Sequence, residues 1–118
     1  MTNIKEMTNP YAYVGVVDIK RREITVDSIV NDVCQEYGVN FLDLITPCRK
    51  RELVEPRHVI MYVLKTFKLL SFEQIGQLFN RDHSTVVHAR KAVENQRFAD
   101  KNYEIRIVKL IQKIGYDN

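Results

Sequence analysis

No stretch of apolar residues in this chain approaches the ~18–20 that a membrane-spanning helix requires. The N-terminus, with Lys5, Glu6 and Asn9-Pro10, also lacks the apolar core of a signal peptide. Cysteine is scarce: Cys34 and Cys48 match no metal-ligand spacing and read as free, buried thiols of a reducing cytoplasm. Glycine is scarce too. Gly15, Gly38, Gly76 and Gly115 lie far apart and cannot cradle a phosphate together, and no GxxxxGK[ST] loop occurs anywhere. ATP-driven assembly is therefore not expected of the chain as it stands, and no cofactor or metal is expected in it. Charge of one sign is also in short supply, with a net of only +3.

What is present is a folded, water-exposed composition: 45% apolar and 28% charged residues over 118 positions. That length suits one domain with a modest core and is too short for two. The charge is unevenly spread. Between positions 49 and 91 there are nine Lys and Arg against four acids, a local +5 that leaves −2 for the remainder. A positive field of that size is what phosphate binding requires.

Residues 1–23 are predicted to form an arm or linker, irregular or extended, with Lys20-Arg21-Arg22 as a solvated charge run. Residues 24–118 are predicted to form an all-α domain of about six helices. Thr25 is a candidate N-cap, followed by an apolar stripe of Val26, Ile29, Val30 and Val33, with Gly38 as the stop. Asn40 opens a short second helix ended by Thr46-Pro47, with Phe41, Leu44 and Ile45 as core. A polar basic loop, Cys48-Arg49-Lys50-Arg51-Glu52, comes next. Pro56 then suits the first turn of a third helix, whose residues 59–64 and Phe67 are apolar nearly all round. This should be the central helix. Arg57 and His58 fall in that same first turn, where free backbone N–H groups favour a phosphate. After Asp100-Lys101-Asn102, a loop, Tyr103, Ile107, Leu110, Ile111 and Ile114 predict a closing amphipathic helix.

The informative stretch is 71–95, SFEQIGQLFNRDHSTVVHARKAVEN, which reads as two helices joined by a tight turn. Ser71 and Gln74 form a capping box, and Phe72, Ile75, Leu78 and Phe79 line one face. Asn80-Arg81-Asp82 interrupts the pattern, and Asp82 can cap the second helix. On that helix Thr85, Val86, Ala89, Ala92 and Val93 gather on a packing side, at ~100° per residue. His83, Ser84, Val87, His88, Arg90 and Lys91 spread over the other. Short hydroxyls and imidazoles at the start of a helix, with cations behind them, suit a helix that enters the major groove of DNA. An ordinary solvated helix has the same periodicity, so both readings stand at this point.

The run RDHSTVVHA, with IGQLF before it, resembles the signature of the C-terminal DNA-binding domain of DnaA, the bacterial chromosomal replication initiator. ITVDSIV, RKRELVEPRH and IMYVLK extend the similarity over roughly residues 24–95. The resemblance implies a helix–turn–helix that binds double-stranded DNA sequence-specifically at DnaA-box-like sites, in replication initiation or its regulation. It implies base contacts from Arg81, Asp82, His83, Ser84, Thr85, Val87 and His88 in the major groove, with Asp82 either capping or accepting from a cytosine. It implies Arg49 in the minor groove, and phosphate contacts from Arg51, Arg57, His58 and Lys91. The implied location is the cytoplasm, on the nucleoid, and proteins of replication initiation are a further class of partner open to it. Stand-alone relative and fragment of a longer chain both remain open. Two departures favour an alternative, a helical regulator acting through protein contacts without DNA. Family members carry a small residue and a neutral or basic one at Val54-Glu55, and an extra residue, often glycine, in the turn where this chain has only Asn80. A hydrolase or nuclease is not expected. His83 and His88 are poorly spaced for two ligands on one helix face, and no Cys–His pair or carboxylate cluster accompanies them.

Overall fold

A computed structural model describes residues 23–116, the side chain of Tyr116 excepted. The apolar run at the middle of the chain becomes its axis. Val59, Ile60, Met61, Val63 and Leu64 are fully buried on α3 (Arg51–Thr66), and Tyr62 is nearly so. Neighbours cover this helix from several sides: α1 (Val26–Tyr37), the short α2 (Phe41–Leu44), α4 (Phe72–Leu78) and α5 (His83–Ala99) all pack on it. α6 (Lys101–Tyr116) closes the core against α1 and α5, burying Tyr103, Ile107, Leu110 and Ile114. The described residues thus hold six helices and no strand. The arm expected over residues 1–23 lies outside the described residues except for Glu23.

The caps follow local chemistry. Thr25 Oγ1 accepts from Ser28 N–H at 3.0 Å, and Ser28 Oγ accepts from Thr25 N–H at 2.9 Å, a capping box whose third-position residue is serine rather than glutamate. Gly38, at φ 65°, ends α1 in the left-handed region, so that Val39 N–H reaches Cys34 O at 3.0 Å. α3 ends in the same way with Lys68 at φ 57°, and Leu69 N–H bonds Leu64 O at 3.2 Å. Here the left-handed residue carries a side chain.

Two expected boundaries move. The third helix begins at Arg51, not near Pro56, so Arg51 and Glu52 belong to the helix and Pro56 sits buried in its second turn. The Lys50 carbonyl accepts from Leu53 N–H and Val54 N–H, each at 2.9 Å, and Arg51 pairs with Glu55 one turn on at 3.7 Å. A proline there deletes one helical hydrogen bond, and the flanking bonds and the burial of the helix behind it outweigh that loss. The loop expected at residues 100–102 shrinks to Asp100 alone. Its N–H ends α5 on Gln96 O at 2.8 Å, while its Oδ1 accepts from Tyr103 N–H at 3.2 Å and caps α6. The corner is fastened by Arg97, which pairs with Glu104 through two N–H groups and donates to the Tyr62 hydroxyl at 2.7 Å.

Candidate nucleic-acid interface

The turn between α4 and α5 is a complete Schellman motif. Asn80 adopts φ 56°, its N–H bonds Gln77 O at 3.2 Å, and Arg81 N–H bonds Gly76 O at 2.7 Å. Asparagine tolerates the left-handed region better than other side chains do, which is how a turn without glycine closes here. Gly76 answers to a different demand. A Cβ at that position would lie 2.5 Å from the Arg81 carbonyl oxygen, so the turn folds back directly onto α4.

Asp82 then caps α5. Its Oδ2 accepts from Ser84 N–H at 3.2 Å and from Ser84 Oγ at 2.5 Å. These hydrogen bonds, side chain first, hold the exposed carboxyl below its ordinary range. Of the two roles open to Asp82, the geometry provides the cap. Beyond it, Val86, Ala89 and Val93 are buried and Thr85 is half-buried. Ala92, expected on the packing side, is exposed. His83, Ser84, Val87, His88 and Lys91 are all exposed and, at ~100° per residue, fall within an arc of about 140°. Arg90 borders that arc and lies 3.9 Å from Glu94.

Arg49 and Lys50 are exposed on the connection between α2 and α3. Together with Ile45, Pro47, Val54, Arg57, His58, Asn80, Arg81 and Thr85 (residues of the connection, α3 and the turn), Arg49 lines a cleft of about 720 Å³. The cleft brings the basic connection beside the start of α5. His58 is half-buried there, and burial, then the charges of Arg57 and Arg81, push its imidazole below the ordinary value.

Two residues singled out from the sequence, Arg57 and Arg81, are placed otherwise than expected, and a third, Arg51, is exposed but paired within the fold. Arg57, expected on a phosphate, is only 4% exposed, because α3 starts well before it and carries it inward. Its Nε donates to Leu44 O at 2.7 Å, and its Nη2 to Thr46 O at 3.3 Å and Cys48 O at 3.2 Å. Burial, then the neighbouring Arg81 charge, lower its pKa from the ordinary value. Arg81, expected at a base edge, donates from Nη1 to Phe79 O at 2.6 Å and from Nη2 to Thr46 O at 2.7 Å. Arg51 is open to solvent but shares Glu55 with Arg106 of α6, whose Nη1 lies 3.9 Å from the carboxylate. Glu55 therefore faces two arginines within the fold. Lys50, exposed beside Arg49, is a further cation of this surface, and the basic run was its only signal in the sequence.

A protein-family model described as the bacterial DnaA protein helix-turn-helix matches residues 26–93, more than half of the chain. The chain belongs to the DnaA helix–turn–helix family. All the site residues named from the sequence lie inside the matched range. Among relatives, it is similar to the chromosomal replication initiator protein DnaA of Caldanaerobacter subterraneus subsp. tengcongensis, 33% identical over 116 residues, covering 98% of this chain and 26% of that protein. The DnaA of Bacteroides fragilis is 39% identical over 89 residues, 75% of this chain and 19% of the relative. That of Sphingopyxis alaskensis is 38% identical over 96 residues, 80% and 21% respectively. The chain thus spans about a quarter of these relatives' length or less. Among the described residues no helix is long and apolar enough to cross a membrane, and no group of three or more His, Cys, Asp or Glu could hold a metal ion.

Proposed function

We propose that this DnaA-family chain binds double-stranded DNA sequence-specifically, at sites of the DnaA-box kind, in replication initiation or its regulation. One observation carries the reading: the exposed arc of His83, Ser84, Val87, His88 and Lys91 opens α5 directly after the family's turn, with Arg49 on the adjoining connection. In this reading α5 enters the major groove, and His83, Ser84, Thr85 and His88 meet base edges while Val87 touches a thymine methyl. Arg49 enters a narrow, AT-rich minor groove. Lys91, Arg51, Lys50 and His58 hold phosphates, and the buried Arg57 does not. Proteins of the initiation machinery are a secondary class of partner.

The alternative, a regulator acting only through protein contacts, rested on Glu55 and on the short turn. Glu55 faces Arg51 and Arg106, and the turn closes with all its hydrogen bonds, so neither feature now speaks against DNA. The test is selection from random duplexes followed by binding to the selected site across a salt series. The three cationic phosphate contacts, Lys91, Arg51 and Lys50, give a log–log slope on the order of −3. A flat salt dependence with no enriched site would remove the DNA reading and restore the protein-contact one.

A further inference from the structure

Two guanidinium groups from separate parts of the chain converge on one carbonyl. Arg57 from α3 and Arg81 from the turn both donate to Thr46 O, at 3.3 Å and 2.7 Å. Arg57 also takes Leu44 O and Cys48 O, so alternate carbonyls of the segment leading to Arg49 are fastened to α3. Arg81 takes Phe79 O with its other nitrogen, which ties the same segment to the end of α4. Each partner here is a backbone oxygen. Holding two like charges side by side is unfavourable, and after burial, the larger cause, the Arg81 charge contributes to the lowering of the Arg57 pKa. A planar fork that reaches two carbonyls at once is a geometric device that lysine lacks.

We propose that Arg81 is a positioning residue that sets the Arg49 connection and the start of α5 as one rigid unit, rather than a residue that reads DNA. Thr46 lies three positions before Arg49, and Arg81 two positions before His83. The bond between them, across 35 residues of sequence, therefore ties the segment before Arg49 directly to the turn before His83, and Arg49 and His83 are the groups assigned above to the two grooves. Without it, the segment before Arg49 would keep its bonds to Arg57 of α3 but lose its tie to the turn before α5. The part of this inference that concerns the grooves rests on the DNA reading; the clamp itself does not.

The experiment uses Arg81→Met, which keeps the side chain's apolar length, and Arg81→Lys, which keeps its charge. In the protein without DNA, both variants are expected to shift the amide resonances of Thr46, Cys48, Arg49 and Lys50 and lower their order parameters, while α1 and α6 stay as they are. Unmoved resonances at those residues would overturn the clamp whatever DNA binding does. With DNA, Arg49→Ala should remove the preference for AT-rich over GC-rich flanks. Both Arg81 variants should remove it too, and Arg49→Ala with Arg81→Met should lose no more of it than either single change. Additive losses, or full restoration by Arg81→Lys, would make Arg81 a direct charge contact and overturn the proposal. A wild-type protein with no flank preference would sink the minor-groove assignment of Arg49 alone, and the amide measurement would still decide the clamp.

Discussion

Among the described residues, two side chains sit where a bare backbone would be easier. Lys68 and Asn80 both occupy the left-handed region, at φ 57° and 56°. A β-carbon in that region costs roughly 1–2 kcal/mol, less for asparagine, while glycine adds roughly 0.4–1 kcal/mol of unfolded-state entropy. Lys68→Gly is therefore expected to stabilise the domain by about 0.5–1 kcal/mol and Asn80→Gly by clearly less, as read by denaturant midpoints at unchanged slope. Equal effects would mean that the two turns are not strained by the same geometry. His58 supplies a second residue-level expectation. Its folded pKa is depressed below the ordinary value, so the folded state favours the neutral ring. The stability linked to it is complete above the unfolded value of about 6.5 and falls as pH drops from there toward the folded value. His58→Gln should flatten that part of the stability–pH curve, which thermal melts from neutral pH downward can follow. What the sequence revealed at this scale was chemistry that acts within four residues, such as Thr25, Gly38, Ser71 and Asp82. The placement of Arg57 and Arg81 was hidden, because their acceptors lie up to 35 residues away and are backbone carbonyls, which no side chain advertises. An arginine that is clamped and one that waits for a phosphate look alike in sequence.

At the scale of the element, α5 separates the face proposed to read DNA from its packing face more sharply than its residue types suggest. His83 is exposed on the arc, with its Nδ1 3.6 Å from the Asp82 carboxylate, whereas Thr85 is half-buried in the cleft wall. His83→Ala should therefore leave the melting temperature unchanged and cost on the order of 1–3 kcal/mol of preference for the selected site over scrambled DNA. Thr85→Ala should lower preference and melting temperature together. A His83→Ala protein that still prefers its site as strongly would mean that α5 is not the reader. The element pattern was largely legible: the six helices of the described residues follow from apolar spacing, with side-chain caps at α1, α4 and α5, whereas Asn40 makes no cap bond at α2. α3 was read too short because Pro56 looks like a first-turn residue. The early start rests on the Lys50 carbonyl and on burial along the helix, neither of which is a local signal. The single-residue corner at Asp100 was missed for a related reason, since one aspartate closes one helix with its amide and opens the next with its carboxylate.

On the scale of the whole molecule, the parts assigned to DNA all hang from α3, whose buried apolar face also receives α1, α2 and α4. α5 is held at both ends. Its start is set by the Asp82 cap and the turn, and near its other end Arg97 is fastened to Glu104 and Tyr62. The closeness of that turn to α4 has a consequence in machining terms. The clearance at Gly76 falls about 1 Å short of what one methyl group needs to reach ordinary contact. Hydrogen bonds to a base edge operate within a window of roughly half an ångström. The proposed reading helix, mounted with so little play, would be thrown out of adjustment by a displacement of about twice its working window. Its accuracy is then set by a position that carries no side chain at all.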